Sequence, residues 1–245
     1  MRRFISAGLK AGAAGLVIGL CATPIASAQQ SFNAYVGGFV PKSEDGRTAN
    51  DVLVNDLTVE PPLAFNISDF HSVTFGGEYL VKLGPLFEAG LGIGYQQSSV
   101  PSVYAGLVNA DGSEIEQTLR LRDVPMSATI RFLPLGHNRN GVQPYVGGGV
   151  GIHAWHYSET GQFVDTSNGI FQQTYEASGT TTGPMILGGV RVPVGSFGLG
   201  GELRWQSAVG DLPANSGFVT DSNVDNQPKI DLGGFTYLFS VNFRF

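Results

Sequence analysis

The chain has 245 residues, 14 basic against 20 acidic side chains for a formal net charge of −6, and 35 glycines. That much glycine excludes a helical protein, because a glycine inside a helix costs about 1 kcal/mol relative to alanine. The acidic balance, with no basic run, excludes nucleic acid as a partner, and one cysteine cannot make a disulfide framework.

Residues 1–28 are expected to be a cleavable signal peptide. Arg2, Arg3 and Lys10 lead an apolar run from Ala11 to Leu20, and Ala26-Ser27-Ala28 supplies the small-residue cleavage pattern. The run is short for a spanning helix, and Thr23-Pro24 follows it instead of charged residues. Leu20 before Cys21 does not suit lipoprotein processing, which wants a small residue there, so Cys21 reads as part of the leader. Residues 29–245 would then be one exported domain without a thiol.

Beyond Gln29, period two dominates, which places alternate side chains on opposite faces of strands. Ser31 to Pro41 is the first predicted strand. In the second, "HSVTFGGEYLVKL", Val73, Phe75, Tyr79, Val81 and Leu83 share a face opposite Glu78 and Lys82. Gly84-Pro85 turns into the third, "LFEAGLGIGYQ", with Phe87, Ala89, Leu91, Ile93 and Tyr95 opposite Glu88, Gly90, Gly92 and Gly94. The fourth, "QTLRLRDVPMSATIRFLP", changes parity near Arg122-Asp123: Leu119 and Leu121 are odd, whereas Val124, Met126, Ala128, Ile130 and Phe132 are even. A β-bulge is expected there to absorb one residue. "QPYVGGGVGIHAWHYS" is the fifth strand, "GPMILGGVRVPV" lies in the sixth, "FGLGGELRWQSAV" is the seventh and "GFTYLFSVNFRF" the eighth.

Short connections follow the second, fourth and sixth strands, and long polar ones follow the first, third, fifth and seventh. In an up-and-down barrel this collects the long loops at one end, the asymmetry of an outer-membrane barrel. A soluble lipocalin-type barrel would alternate too, with its apolar face inward. Three features favour the apolar face toward lipid. Gly90, Gly92, Gly94, Gly147, Gly149 and Gly151 crowd the other face, where a narrow lumen needs room beside Glu78, Arg131, Glu202 and Arg204. Phe132, Tyr145, Trp155, Tyr157, Phe197, Trp205 and Phe245 collect near strand ends, as an interfacial girdle would. About ten residues at ~3.3 Å each, tilted near 45°, cover roughly 23 Å of bilayer. The fold class expected is all-β: an eight-stranded antiparallel up-and-down transmembrane β-barrel.

These features, with "YLFSVNFRF" at the end, resemble the small eight-stranded outer-membrane barrels of Gram-negative bacteria: the OmpA transmembrane domain, the OmpX-like proteins and the opacity-like barrels. The resemblance implies location in the outer membrane among lipid and lipopolysaccharide. It also implies that Tyr237, Phe239, Val241, Phe243 and Phe245 are the signal read by the barrel assembly machinery. A structural or envelope role, or loop-mediated contact with an extracellular surface ligand, follows as the expected function, without enzymatic activity. An OmpW-like channel for small solutes is the alternative from a near neighbour.

Within the lumen, Glu78, Lys82, Glu88, Arg131, Glu202 and Arg204 are expected to form a paired plug, with Arg120, Arg122 and Arg244 also inward. "HAWHYSE" resembles the His-x-Ser of lipid A deacylases, with Ser158 as nucleophile, His156 as base and Glu159 or Glu176 to orient the imidazole. That family continues with asparagine where Glu159 stands, so these two are candidates for catalysis against a reading as interfacial decoration. Asp221, Asn223 and Asp225 are spaced like the start of a calcium loop but lack its central glycine and distal glutamate. Asp45, Asp51, Asp56 and Glu60 make the first loop acidic, suited at most to unspecific divalent-ion bridging to lipopolysaccharide. "GGGVG" continues as a strand and is no phosphate loop. No cofactor and no dedicated metal site are expected.

Overall fold

Eight long strands, each paired with its neighbour in the chain and the last with the first, close a ring in the computed structural model. It describes residues 30–137, 141–165, 167, 169–214, 216–220 and 227–245. The leader expected at 1–28 and the calcium-like run Asp221, Asn223 and Asp225 lie outside the described residues. The strands are β1 (Gln30–Pro41), β2 (Ser72–Leu83), β3 (Phe87–Val108), β4 (Glu114–Phe132), β5 (Gln143–Val164), β6 (Ile170–Val194), β7 (Phe197–Gln206) and β8 (Gly234–Arg244). Every pairing is antiparallel, and β8 meets β1 from Ser31 opposite Arg244 to Pro41 opposite Gly234. At the level of the apolar belt the ring is closed by pairing on both sides of every strand, whereas above it β6 meets β7 only from Met185 onward and β3 meets β2 only up to Gln96. Gly84 (φ +80°) and Gly195 (φ +62°) take the left-handed backbone that two of the tight turns require.

Large apolar side chains face outward around the ring. Leu91, Phe239 and Val73 are 65–67% exposed, and Ile93, Ile130, Val146, Leu199 and Leu203 are exposed with them. Glu88 and Arg204 are buried inside. A continuous apolar exterior on this scale is far beyond the patches that water-soluble monomers tolerate, and it suits hydrocarbon.

The strands run past this apolar belt. β3 and β5 have 22 residues each and β6 has 25, whereas about ten suffice for the hydrocarbon. The long loops expected after the third and fifth strands are therefore mostly strand, closed by compact turns near Asn109–Ser113 and Asp165–Gly169. Their alternation was hidden in the sequence because beyond the belt both faces carry polar residues, as in Gln96, Gln97, Ser98 and Ser99.

The bulge expected at Arg122-Asp123 is absent. Asp123 pairs with Gln96 on one side and with Trp155 on the other, in unbroken register. What changes there is the surroundings. Below this height Ala128, Ile130 and Phe132 point outward and Ser127, Thr129 and Arg131 inward. Above it Arg120 and Arg122 point outward and exposed, while Leu119 is buried inside, so these two arginines are not in the lumen. β5 inverts at the same level: Val146, Val150 and Ile152 are outward below, and Trp155 and Tyr157 are inward above. Trp155, Tyr157 and Tyr145 thus belong to the interior and not to the girdle, whereas Phe132, Phe197, Trp205 and Phe245 do face out.

Inverted strands deliver an apolar interior at the loop end, and the first and last long connections fill it. A short helix, α1 (Val52–Thr58), begins at Asp51, whose carboxylate accepts the Leu53 N–H at 3.1 Å. Val52, Leu53, Leu63, Ile67 and Phe70 from the first loop pack with Leu212, Phe218, Ile230 and Leu232 from the last, above Val100, Leu119, Trp155 and Tyr157 of the wall. The result is a folded cap seated in the barrel mouth, where the sequence suggested long polar connections, the first of them acidic. Of the four acids of the first loop, Asp45 and Glu60 are exposed, but Asp51 and Asp56 are buried.

Candidate functional site: the sealed interior

The lower half of the lumen is closed by charge. Glu78 (β2), Glu88 (β3) and Glu202 (β7) face Arg131 (β4), Arg191 (β6) and Arg204 (β7), three of each sign. Arg131 is fully buried, donating to Glu78 at 2.6 Å and Glu202 at 2.9 Å, with Glu88 at 3.6 Å. Arg191 holds Glu88 at 3.1 Å, and Arg204 spans Glu202 and, at 3.5 Å, Glu78. Tyr145 donates its hydroxyl to Glu202 at 2.8 Å, and its ring lies 5.0 Å from the Arg131 guanidinium. Tyr35 stands likewise under Arg204 at 5.2 Å. Glycine makes the room: a Cβ at Gly90 would come within 2.8 Å of the Glu78 carboxylate.

Of the expected plug residues, Glu78, Glu88, Arg131, Glu202 and Arg204 meet in this cluster. Lys82 is half-buried toward the tight-turn rim, and Arg244 bonds Gln143 at 3.3 Å at the same end. Arg191, Tyr35 and Tyr145 join the cluster without having been expected there. Arg191 carried the same signal as the others, a lone charge between two outward valines, Val190 and Val192. The tyrosines carried none, since an inward tyrosine over an arginine and an outward one at a lipid boundary look alike in sequence.

Above the plug, Asp123 accepts from His153 Nδ1 at 2.8 Å and from the Gln96 amide at 3.2 Å, all three buried. A cavity of about 20 Å³ beside Tyr35, Gln96 and Gln206 has room for little more than a water molecule. The cap closes the top. Arg47 clamps Asp51 at 2.9 Å and reaches the Asp231 carbonyl at 2.8 Å, while Lys42 holds the Asp231 carboxylate at 3.0 Å. Asn55 and Asn50 tie α1 to the last loop through the Val219 and Gln227 carbonyls at 3.1 and 2.7 Å. Burial first, and then the charge of Glu159, holds the Asp56 carboxyl well above the usual carboxylate range.

His156 and Ser158 lie on the outer face of β5, as expected, just above the belt. Among the described residues no hydrogen bond joins them; His156 Nε2 sits 3.9 Å from Glu176, which is exposed. Glu159 points the other way, into the cap, and cannot orient that imidazole. Tyr237, Phe239, Val241 and Phe243 lie on the outward face of β8, and Phe245, one residue past its end, is exposed. Among the described residues no three histidine, cysteine or acidic side chains are grouped to hold a metal ion.

No protein-family model matches the chain, and no curated protein sequence is significantly similar to it. Solved structures do resemble it. The outer membrane protein OprG from Pseudomonas aeruginosa is 11% identical, with 89% of this chain and 96% of that one covered and a TM-score of 0.49. The N-terminal β-barrel domain of Pseudomonas aeruginosa OprF is 12% identical, covering 89% and 98%, at 0.38. Ail, the attachment invasion locus protein of Yersinia pestis, solved with the heparin analogue sucrose octasulfate, is 14% identical, covering 89% and 100%, at 0.41. The likeness is one of fold.

Proposed function

We propose that the protein is a non-conducting, non-enzymatic barrel of the Gram-negative outer membrane that works at its outer end, presenting a rigid folded platform for contact with extracellular surfaces. The observation that carries this reading is the double seal. An arginine–carboxylate plug in which each guanidinium pairs with a carboxylate blocks the lower lumen, and an apolar cap blocks the mouth. An eight-stranded barrel is wide enough only for side chains to fill, and here they do. The outward apolar belt supports residence in a bilayer, among outer-membrane lipid and lipopolysaccharide. The outward aromatic face of β8 is available to assembly factors. Loops held on a rigid scaffold commonly carry binding, and here the first is tied to the last through the Val219 and Gln227 carbonyls.

The test has two arms. Refolded protein in planar lipid bilayers should give no conductance steps at any voltage; discrete channel events would replace this reading with that of a small-solute channel. Cells displaying the barrel should lose attachment to host-cell or abiotic surfaces when residues 43–70 are replaced by a short glycine-serine link, and unchanged attachment would count against the platform. Lipid A incubated with the wild type and with Ser158→Ala should keep its acyl chains in both.

A further inference from the structure

The cap contains a pair of acids that neither seal uses. Asp56 on α1 and Glu159 on the inward face of β5 are 3% and 2% exposed, inside an apolar mouth. The Tyr157 hydroxyl reaches Asp56 at 3.4 Å, and Glu159 Oε1 is buried without a hydrogen-bond partner. The other buried acids of the cap are treated differently. Asp51 has Arg47 at 2.9 Å, and Asp231 has Lys42 at 3.0 Å. Around Asp56 and Glu159 the titratable and charged groups are Asp51 at the start of α1, Tyr104 on β3 and Tyr157 on β5, with Asp211, Lys229 and Asp231 in the last loop. β4, β6 and the last loop otherwise contribute Leu119, Ala177, Leu212, Phe218 and Ile230. Among the described residues no lysine or arginine is ion-paired with either acid. Two ionised carboxylates cannot be held in such a place without a counter-charge.

We propose that Asp56 and Glu159 are a proton-operated latch on the cap: while they hold a proton, α1 stays seated in the mouth, and when both ionise, their protons passing to water, repulsion lifts α1 and opens the outer vestibule. The plug below is untouched by this movement, so the barrel stays closed to ions in either state. The direction follows from linkage. The raised affinity of Asp56 for its proton exists only in the seated cap. Its stabilising effect is complete below the ordinary aspartate value of 3.8 and is lost as pH rises through the raised one. The cap is therefore tightest in acid and loosens toward alkaline pH, the reverse of an acid-labile salt bridge.

The reporter is already in place. Trp155 is 3% exposed in the same apolar cluster, and the chain has only two tryptophans. In a Trp205→Phe background, full-length protein refolded into phosphatidylcholine vesicles is titrated from about pH 5 to about pH 9, a range bracketing the release of buried carboxyl protons. Trp155 emission should shift to the red and acrylamide quenching should rise several-fold with pH. Asp56→Asn with Glu159→Gln should hold the emission blue and poorly quenched throughout, and Glu159→Gln alone should move the midpoint. The single variant also serves if the double variant does not fold. A flat wild-type profile overturns the latch, as does a transition that persists unmoved in the neutralised variants. Return of the buried emission on adding calcium chloride at fixed alkaline pH also overturns it, since the pair would then be a cation site.

Discussion

Replacing Arg131 by methionine strikes the plug at its most connected point. The guanidinium is fully buried and touches all three plug carboxylates, two of them within hydrogen-bonding distance at 2.6 and 2.9 Å. Wild type balances Glu78, Glu88 and Glu202 against Arg131, Arg191 and Arg204; the variant leaves three negative charges to two positive. Removing one partner of a buried ion pair costs about 3–5 kcal/mol, because the charge left behind has lost its water and gained nothing. With two direct bonds lost, the upper half of that range applies. Methionine refills much of the volume, which keeps any cavity contribution small. The informative comparison is the charge-balanced double variant, Arg131→Met with Glu78→Gln. It has two of each sign and should recover roughly 2 kcal/mol of the single variant's loss, a non-additivity typical of residues in one network. Guanidinium titration in phospholipid vesicles, read by the gel mobility of folded against heat-denatured barrel, measures both. A single-variant loss below about 1 kcal/mol, or a double variant as unstable as the single, would refute the balanced-plug account.

Two further substitutions probe the wall and the cap. Gly149→Ala should destabilise by about 1–3 kcal/mol, because its Cβ would drive into the Ala128 carbonyl oxygen and lie 2.8 Å from Thr129 Cα. Gly148→Ala, one residue away on the outward face with its nearest neighbour at 3.3 Å, should change stability by less than about 0.5 kcal/mol; equal effects in the same titration would mean the faces are wrongly assigned. Asp51→Ala removes the α1 cap, the Arg47 pair and the acceptor for the Asp231 N–H. It should cost the cap about 2–4 kcal/mol, seen as rapid protease cleavage in the first and last loops of a barrel whose gel mobility is unchanged. Loops as resistant as wild type would dismiss Asp51 as the keystone.

The wall was legible in sequence wherever the two faces of a strand meet different media. Leu91 against Glu88 and Leu203 against Arg204 differ so strongly in transfer free energy that parity alone orients them. Above the belt that contrast turns around, so that under one polarity throughout, the reversal resembles a bulge and the aromatic residues Trp155 and Tyr157 resemble a girdle. Loop composition misled for a related reason. "NDVLVNDL" contains as many acids and amides as apolar residues, and nothing local says that Val52 and Leu53 will find Leu212 and Ile230, about 160 to 180 residues further on. The plug was legible as a set of inward charges, but which carboxylate meets which guanidinium depends on register around the whole ring.

The inversion also accounts for where the two seals use different chemistry. Along the hydrocarbon the outward face must be apolar, so the pleat turns its polar members inward, and a narrow lumen can accept them only as matched charges with glycine beside them. Once the strands emerge, the outward face must be polar, and the same pleat turns apolar members inward whether or not anything waits to cover them. A cap built from the first and last loops is the complement that this geometry demands, and its core is continuous with the wall residues Val100, Leu119, Trp155 and Tyr157. The reversal also sorts the cations. Arg131, Arg191 and Arg204 lie inside below it, whereas Arg120 and Arg122 above it point outward. An acid on the inward face of the upper zone is therefore cut off from every arginine of the wall. Glu159 is such an acid, and α1 brings Asp56 to the same apolar mouth, so the pair has to be managed by protons because the pleat has placed the wall's arginines elsewhere.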